Sequence, residues 1–177
     1  MTEQVIELGG ENMQSSWVGV LSDTHIPKRA SALPPQIFKI LEGASLIIHA
    51  GDLVKEDILL ELEALASVFA VSGNMDPLPL YHKLGEEKTL NLSGLKLGLT
   101  HGKGRGEYTK EWVFNRFVNQ CQGAVFGHLH SPVLEYRGNF LLFNPGSPTV
   151  PRGQAAPSCG KLWVENGKLK GEIIEIT

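Results

Sequence analysis

Short apolar runs alternate with helix-like segments along the chain from Trp17 onward. The runs at 17–21, 46–49 and 68–71 predict buried strands, because each is a short apolar block that ends in a polar or glycine-containing turn. Between them, the segments at 34–42 and about 55–66 carry apolar residues at helical spacing and predict two helices. This order of elements is typical of βαβ units around a buried sheet.

Strands dominate the second half of the chain. Ser93-Gly94 predicts a tight hairpin, the segment at about 108–121 predicts a helix, and 77–85 is interpreted as a loop. The predicted strands of this half are 89–92, 95–100, 124–126, 133–136, 140–143, 162–164 and 173–176. We therefore expect an α/β (α+β) fold in which two sheets pack face to face as a β-sandwich with helices outside.

Length, composition and charge limit the organisation and the class of protein. The 177 residues suit one domain, predicted at 16–177, after a flexible N-terminal extension at 1–15 that lacks the features of a signal peptide. The net charge of -3 argues against nucleic-acid binding through phosphates, and the sequence has no apolar stretch long enough to span a membrane. The two cysteines, Cys121 and Cys159, form no CxxC pair, which favours a reducing, cytoplasmic setting.

Polar residues with metal-binding potential follow the predicted strands. They are Asp23-Thr24-His25, Gly51-Asp52, Gly73-Asn74, His101-Gly102 and Gly127-His128-Leu129-His130. Each group alone is typical of an ordinary turn, a loop cap or a core histidine. Together, two carboxylates, one amide and four imidazoles are too many donors for one tetrahedral site, but they suit two octahedral sites that share one carboxylate. Their joint occurrence after apolar runs favours a dinuclear metal centre.

These five blocks resemble the calcineurin-like metallophosphoesterase superfamily over nearly the whole chain from Trp17. The short length, the segment Ser72-Gly73-Asn74-Met75-Asp76 and the later Asn144-Pro145-Gly146-Ser147 resemble the YfcE-type small phosphodiesterases of bacteria and archaea. The resemblance implies a four-layer fold, with a two-sheet sandwich flanked by helices, and a metal-dependent phosphoric ester hydrolase.

The resemblance also implies which residues hold the metals and what reaction they support. One ion is expected on Asp23, His25, Asp52 and His130, and the other on Asp52, Asn74, His101 and His128, with Asp52 bridging. The implied reaction is hydrolysis of a small phosphodiester by attack of a metal-bridging hydroxide, with Asp52, Asn74 and His25 as catalytic residues. We expect two divalent ions, Mn²⁺ first, with Ni²⁺, Zn²⁺, Fe²⁺ or Co²⁺ as alternatives.

One residue departs from the pattern of the wider superfamily. Met75 stands where many members have a histidine that helps protonate or stabilise the leaving group, and a thioether has no proton to donate. That task is left to the second metal, to Asp76, to His25, or to substrates with good leaving groups. Lys103, Arg105 and Asp76 are further candidates for contacts with substrate.

Two other functions stay open from the sequence. The same ligands could serve a phosphomonoesterase, and the same fold occurs in a non-catalytic scaffold, the retromer subunit. A scaffold could lose several donors, whereas all seven positions are filled here, which favours catalysis. The expected partners are a small phosphoester substrate and, through hydrophobic edge strands, further copies in a homodimer or homotetramer; we expect neither stable nucleic-acid binding nor membrane association.

Overall fold

The structure, a computed structural model, describes residues 3–4 and 16–177. In these residues the strands are β1 Glu3–Gln4, β2 Val18–Leu21, β3 Leu46–Ala50, β4 Val68–Val71, β5 Glu87–Leu92, β6 Leu95–Thr100, β7 Gly123–Val125, β8 Val133–Arg137, β9 Phe140–Asn144, β10 Ser158–Glu165 and β11 Lys168–Glu175. The helices are α1 Pro35–Leu41, α2 Asp57–Glu63, α3 Leu78–Leu84 and α4 Glu107–Phe117.

The strands form two mixed sheets. The five-stranded sheet has the order β11-β10-β2-β3-β4, and the six-stranded sheet has the order β1-β5-β6-β7-β9-β8. Within the first sheet β2, β3 and β4 are parallel, and within the second β6, β7 and β9 are parallel. Parallel neighbours end at the same edge of a sheet, so the loops that follow β2, β3 and β4 emerge together, as do those that follow β6 and β7.

Three apolar clusters hold four layers together. One fills the space between the two sheets and includes Ile48 and Phe143. A second joins the outer face of the five-stranded sheet to α1, α2 and α3, and includes Ile47. The third packs α4 on the outer face of the six-stranded sheet around Phe117. Ile47 and Ile48 are neighbours that face opposite sides of β3, as the period of a strand requires. The predicted four-layer fold with a two-sheet sandwich is confirmed.

The predicted loop at 77–85 was wrong, because Leu78–Leu84 form the helix α3. The segment contains Pro77 and Pro79, residues that are common in turns and loops. Both lie at the start of the helix, where a backbone N–H has no partner within the helix to lose. Leu80 and Leu84 are buried on the face that packs against the five-stranded sheet.

The predicted hairpin at Ser93-Gly94 is confirmed. Both residues have positive φ angles, 50° and 85°, which is the conformation that lets a two-residue turn follow the twist of its strands. Of the extension predicted at 1–15, only Glu3–Gln4 lie among the described residues, where they pair in parallel with β5. The rest of that prediction falls outside the described residues. Among residues 3–4 and 16–177, none of the helices is long and apolar enough to cross a bilayer.

Candidate metal centre

The seven predicted ligands come together at one edge of the sandwich. Asp23 and His25 follow β2, Asp52 follows β3, and Asn74 follows β4 in the five-stranded sheet. His101 follows β6, while His128 and His130 follow β7 in the six-stranded sheet. The loops that follow these strands therefore lie at the same edge of the sandwich. The candidate ligands of one sheet face those of the other.

Four of these residues form a buried group with a common centre. The ligand atoms of Asp23, His25, Asp52 and His130 all lie within 4.8 Å of one another. The Nε2 atoms of His25 and His130 are 3.1 Å apart, and His130 Nε2 lies 3.2 Å from Asp23 Oδ1. Such a set of carboxylate oxygens and imidazole nitrogens suits a divalent transition-metal ion.

The remaining three residues lie beside this group. Asn74 Oδ1 is 3.2 Å from His101 Nε2 and 3.1 Å from His128 Nδ1. Asp52 Oδ2 is 3.4 Å from His101 Nε2 and also 3.4 Å from His25 Nε2, so one oxygen faces both groups. A carboxylate in this position has the geometry expected of a bridge between two cations.

Three of the imidazoles are oriented by bonds to the backbone. In each ring one nitrogen donates its proton to a carbonyl oxygen and the other nitrogen faces the cluster. The pairs are His101 Nδ1 with Ala50 O at 2.8 Å, His130 Nδ1 with Val150 O at 2.7 Å, and His128 Nε2 with Gly104 O at 2.8 Å. Because a carbonyl oxygen only accepts, the facing nitrogen of each neutral ring keeps its lone pair for a cation, which is the usual arrangement of metal-binding histidines.

The electrostatics of the buried group also fit a cation. Among the described residues, Asp23 Oδ1 and His25 Nδ1 are buried without a hydrogen-bond partner. Burial disfavours the charged form of Asp23, but the His130 and His101 rings outweigh it and hold the pKa of Asp23 below its ordinary value. Burial likewise opposes the charged form of His101, yet Asp52 and Asp23 prevail and raise the pKa of His101 to about 9. The two carboxylates therefore stabilise positive charge on the neighbouring His101 ring, whereas burial lowers the pKa of His25 and favours its neutral form.

Five of the seven candidate ligands have a left-handed backbone conformation. The φ angles are 55° at Asp23, 48° at His25, 59° at Asp52, 70° at His128 and 57° at His130. Residues other than glycine rarely adopt this region, and its cost concentrates at functional sites where the surrounding structure enforces it. Gly51 precedes Asp52 with a φ of 88°, and a Cβ atom there would lie 2.7 Å from the nitrogen of Gly73. Only glycine allows the two turns to pass this closely.

Asp76 supports the turns that carry Asp52 and Asn74. Its Oδ2 accepts the backbone N–H groups of Asp52 at 3.0 Å and Gly73 at 2.7 Å, and its Oδ1 accepts that of Val54 at 2.6 Å. Asp76 was predicted to contact substrate, but both oxygens are engaged by the backbone in this structure. Its contacts are those of a positioning residue.

A second support comes from the segment Asn144-Pro145-Gly146-Ser147, which contributed to the family resemblance of the sequence. Ser147 donates its hydroxyl to Asp23 O at 2.7 Å, and Asn144 donates its side-chain amide to Gly127 O at 2.7 Å. Both side chains are fully buried. They fix the turns before His25 and His128. Asn144-Pro145-Gly146-Ser147 was the signal in the sequence, yet without the fold nothing indicated what these residues would contact.

The sequence matches a known protein family over most of its length. A family model described as the calcineurin-like phosphoesterase superfamily domain matches residues 17–167. The chain belongs to this superfamily.

Two curated relatives support a metallophosphoesterase in particular. A probable metallophosphoesterase of Methanothermobacter thermautotrophicus is 40% identical over 163 residues, which cover 89% of this chain and 91% of that protein. Phosphodiesterase YfcE of Escherichia coli is 29% identical over 163 residues, which cover 91% of this chain and 79% of that protein. The protein is a metal-dependent phosphoric ester hydrolase.

The fold of the metallophosphoesterase extends to proteins with less similar sequences. The crystal structure of Vps29 of Entamoeba histolytica in complex with Zn²⁺ matches with a TM-score of 0.71 at 23% identity. The match covers 90% of this chain and 98% of that chain. At this identity the likeness shows a shared fold.

The two basic residues predicted to contact substrate line two separate clefts beside the second group of ligands. Lys103 lines a cleft of about 180 Å³ with Asn74 and His101, where its Nζ lies 4.6 Å from the centre of the Trp112 ring. Arg105 lines a separate cleft of about 220 Å³ beside His128. This second cleft also contains Arg152, which the sequence analysis did not single out because it follows the last recognisable motif.

Proposed function

We propose that this metallophosphoesterase is a dinuclear metal-dependent phosphodiesterase that hydrolyses a small phosphodiester. The observation that carries the proposal is the orientation of His101, His128 and His130, which each bind a backbone carbonyl through one nitrogen and face the cluster with the other. Together with the carboxylate of Asp52 between the two groups, this arrangement supports two cation sites rather than one.

The residues of the chain have distinct tasks in the proposed reaction. Asp23, His25 and His130 would hold the first cation, Asn74, His101 and His128 the second, and Asp52 both. When bound, two cations polarise the phosphoryl oxygens and supply the attacking hydroxide near neutral pH. The protein residues fix the positions of these charges in advance, so that little reorganisation is needed when negative charge develops on the phosphorus oxygens.

The chain has few groups that could donate a proton to the leaving group. The Met75 side chain is 37% exposed and has no proton to donate, while its backbone N–H donates to Asp52 Oδ1 at 2.7 Å. Asp76 is engaged by backbone N–H groups. We therefore expect the enzyme to favour esters whose leaving group departs without a proton, or to depend on the second cation and His25 at this step.

Metal-stripped protein titrated with Mn²⁺, Ni²⁺, Zn²⁺ or Mg²⁺ tests the proposal. Hydrolysis of bis-p-nitrophenyl phosphate is compared with that of p-nitrophenyl phosphate, and bound metal is counted by mass spectrometry. We expect two ions per chain, with Mn²⁺ the most active, and preference for the diester. Preference for the monoester would identify a phosphomonoesterase. Two bound ions without turnover of either ester would favour the non-catalytic scaffold, and one bound ion or none would contradict the dinuclear centre.

A further inference from the structure

The cleft beside His128 differs in charge from the cleft beside Asn74 and His101. Arg105 and Arg152 line the first cleft, and no carboxylate lines it among the described residues. The other cleft, beside Asn74 and His101, is lined by Glu86 and Glu87 as well as Lys103. A phosphodiester has two arms, so a diester centred on the ligands would extend towards surroundings of unlike charge.

The two arginine-bearing loops are attached to the candidate metal ligand His128. His128 Nε2 donates to the carbonyl of Gly104, the residue before Arg105, at 2.8 Å. The guanidinium of Arg152 donates through Nη1 to the carbonyl of His128 at 3.4 Å, and the backbone N–H of Arg152 donates to the carbonyl of His130 at 3.1 Å. Both loops therefore have defined positions relative to the reacting centre.

Both guanidinium groups keep donors for an anion, since Arg152 uses only Nη1 on the carbonyl of His128 and no carboxylate pairs with either group among the described residues. Neither Arg105 nor Arg152 forms an ion pair with a carboxylate among the residues that the structure describes, and both are exposed. Most other arginines of the chain differ, since Arg116 pairs with Glu87 and Arg137 with three glutamates. Guanidinium groups bind phosphate through paired, charge-assisted hydrogen bonds, and a terminal phosphate carries nearly two negative charges at pH 7.

We propose that Arg105 and Arg152 form a subsite that binds a second phosphate group, carried on the end of one arm of the phosphodiester substrate. The proposal rests on the proposed function and adds a substrate class to it: a small diester in which one arm ends in a phosphate monoester. Ser131 lines the same cleft, and its hydroxyl donates to the carbonyl of Arg152 at 3.3 Å, which further fixes the loop that carries this arginine. The cleft has a volume of about 220 Å³ and is open to solvent, so a group on the end of a substrate arm can enter it.

A pair of matched substrates tests the subsite. Both are p-nitrophenyl diesters with the same leaving group; one has a 2-phosphoethyl arm and the other a 2-hydroxyethyl arm. We expect wild-type protein to prefer the phosphate-bearing arm, measured as kcat/KM for nitrophenolate release. The ratio of the two kcat/KM values should fall about tenfold or more in the double variant R105Q/R152Q, because two charge-assisted contacts are lost. The control K168Q removes one exposed positive charge from the start of β11, away from the site, and should keep the wild-type ratio.

Binding of inert analogues separates failure of the subsite from failure of the proposed function. The analogues are the two phosphonates in which a methylene group replaces the scissile ester oxygen, and their Kd values for metal-loaded protein are measured by calorimetry. Tighter binding of the phosphate-bearing analogue to wild type, lost in R105Q/R152Q and retained in K168Q, supports the subsite even if no diester is hydrolysed. Equal Kd values in wild type, or a preference that survives in R105Q/R152Q, would overturn it. Tighter binding of a carboxyethyl analogue than of the phosphate-bearing one would overturn the choice of phosphate.

Discussion

The backbone N–H of His128 donates to Oδ2 of Asp23 at 2.9 Å, which joins the turn after β7 to the turn after β2. The bond crosses from one sheet to the other. It leaves Asp23 Oδ1 to face the cluster, 3.2 Å from His130 Nε2. The same carboxylate therefore offers a metal ligand and fixes the distance between the two groups of ligands, so the site depends on how the two sheets pack.

The bridging position proposed for Asp52 predicts a large loss of activity in Asp52→Asn. An amide in place of the carboxylate removes negative charge from the oxygen that faces both His25 and His101. We expect kcat/KM for bis-p-nitrophenyl phosphate to fall more than about 100-fold, since even residues that only support metal ligands are worth about 10–100-fold. Bound metal, counted by mass spectrometry, should fall below two ions per chain.

Asp57→Asn is the matched control for this variant, because Asp57 is exposed on α2 and pairs with Lys55. Its activity and metal content should equal those of wild type. Turnover by Asp52→Asn within a few fold of the control would contradict a bridging carboxylate.

We expect replacement of Asp76 to weaken metal binding, although its carboxylate binds backbone N–H groups and is not a candidate metal ligand. Asp76→Asn retains one oxygen for three backbone N–H groups, so at least one buried donor loses its partner. We expect the free energy of unfolding to fall by about 1–3 kcal/mol, measured in urea. The metal Kd should rise about 10–100-fold as the Asp52 turn loosens. Lower stability with an unchanged metal Kd would reduce Asp76 to a purely structural residue.

Two glycines with similar φ angles allow two costs of an alanine substitution to be measured apart. One is the cost of a left-handed conformation, and the other is the cost of a clash with a neighbouring turn. Gly51 has a φ of 88° and Gly94 a φ of 85°, but a Cβ atom at Gly94 would meet nothing within 4 Å. Gly94→Ala should therefore lower the free energy of unfolding by about 1–2 kcal/mol, which is the cost of a left-handed conformation for alanine. Gly51→Ala adds the clash with Gly73 and should cost clearly more, with loss of metal binding. Equal losses in urea unfolding would show that the contact between the two turns is unimportant.

The positions of the strands along the chain and of the candidate ligands after them could be predicted, because both depend on local sequence patterns. Blocks such as Leu46–Ala50 are mostly apolar runs, interrupted here only by His49, and Gly51-Asp52 follow directly in the sequence. The helix α3 was missed because prolines at its start look like loop residues unless the burial of Leu80 and Leu84 is known. That burial is a property of the tertiary fold.

The residues that hold the ligand turns in place could not be predicted from the sequence, for a related reason. Ser147 binds the backbone of Asp23, 124 residues earlier, and Arg152 reaches the backbone of His128. Neither bond has a local signature, since a serine in a turn or an arginine in a loop is ordinary. The left-handed angles of Asp23 and His25 also depend on such distant bonds, because the local chain alone would avoid them.

His49 predicts a pH dependence of stability from a buried ring that is not itself a candidate metal ligand, although nearby ligands such as Asp23 and His101 also act on its pKa. The ring is fully buried in β3, with Nε2 3.2 Å from Thr24 Oγ1, and burial lowers the pKa of His49 to about 3. The folded protein thus keeps the ring neutral at pH values where the unfolded chain, with the ordinary value of 6.5, takes up a proton. Because the unfolded state binds more protons between about pH 6.5 and pH 3, stability falls as the pH falls through this window, by up to about 1.4 kcal/mol per unit.

The variant His49→Gln removes this linkage while keeping a polar group near Thr24. Free energies of unfolding are measured in urea from pH 7.5 to pH 5 for wild type and variant in the same buffer, so that titration of the other histidines is common to both. We expect the variant to be less stable at pH 7.5 and the difference to shrink as the pH falls, because only wild type carries the cost of a neutral buried ring. His82→Gln, at an exposed position of α3, controls for the loss of a surface histidine. A constant difference between wild type and His49→Gln over this range would mean that the ring accepts a proton in the folded protein.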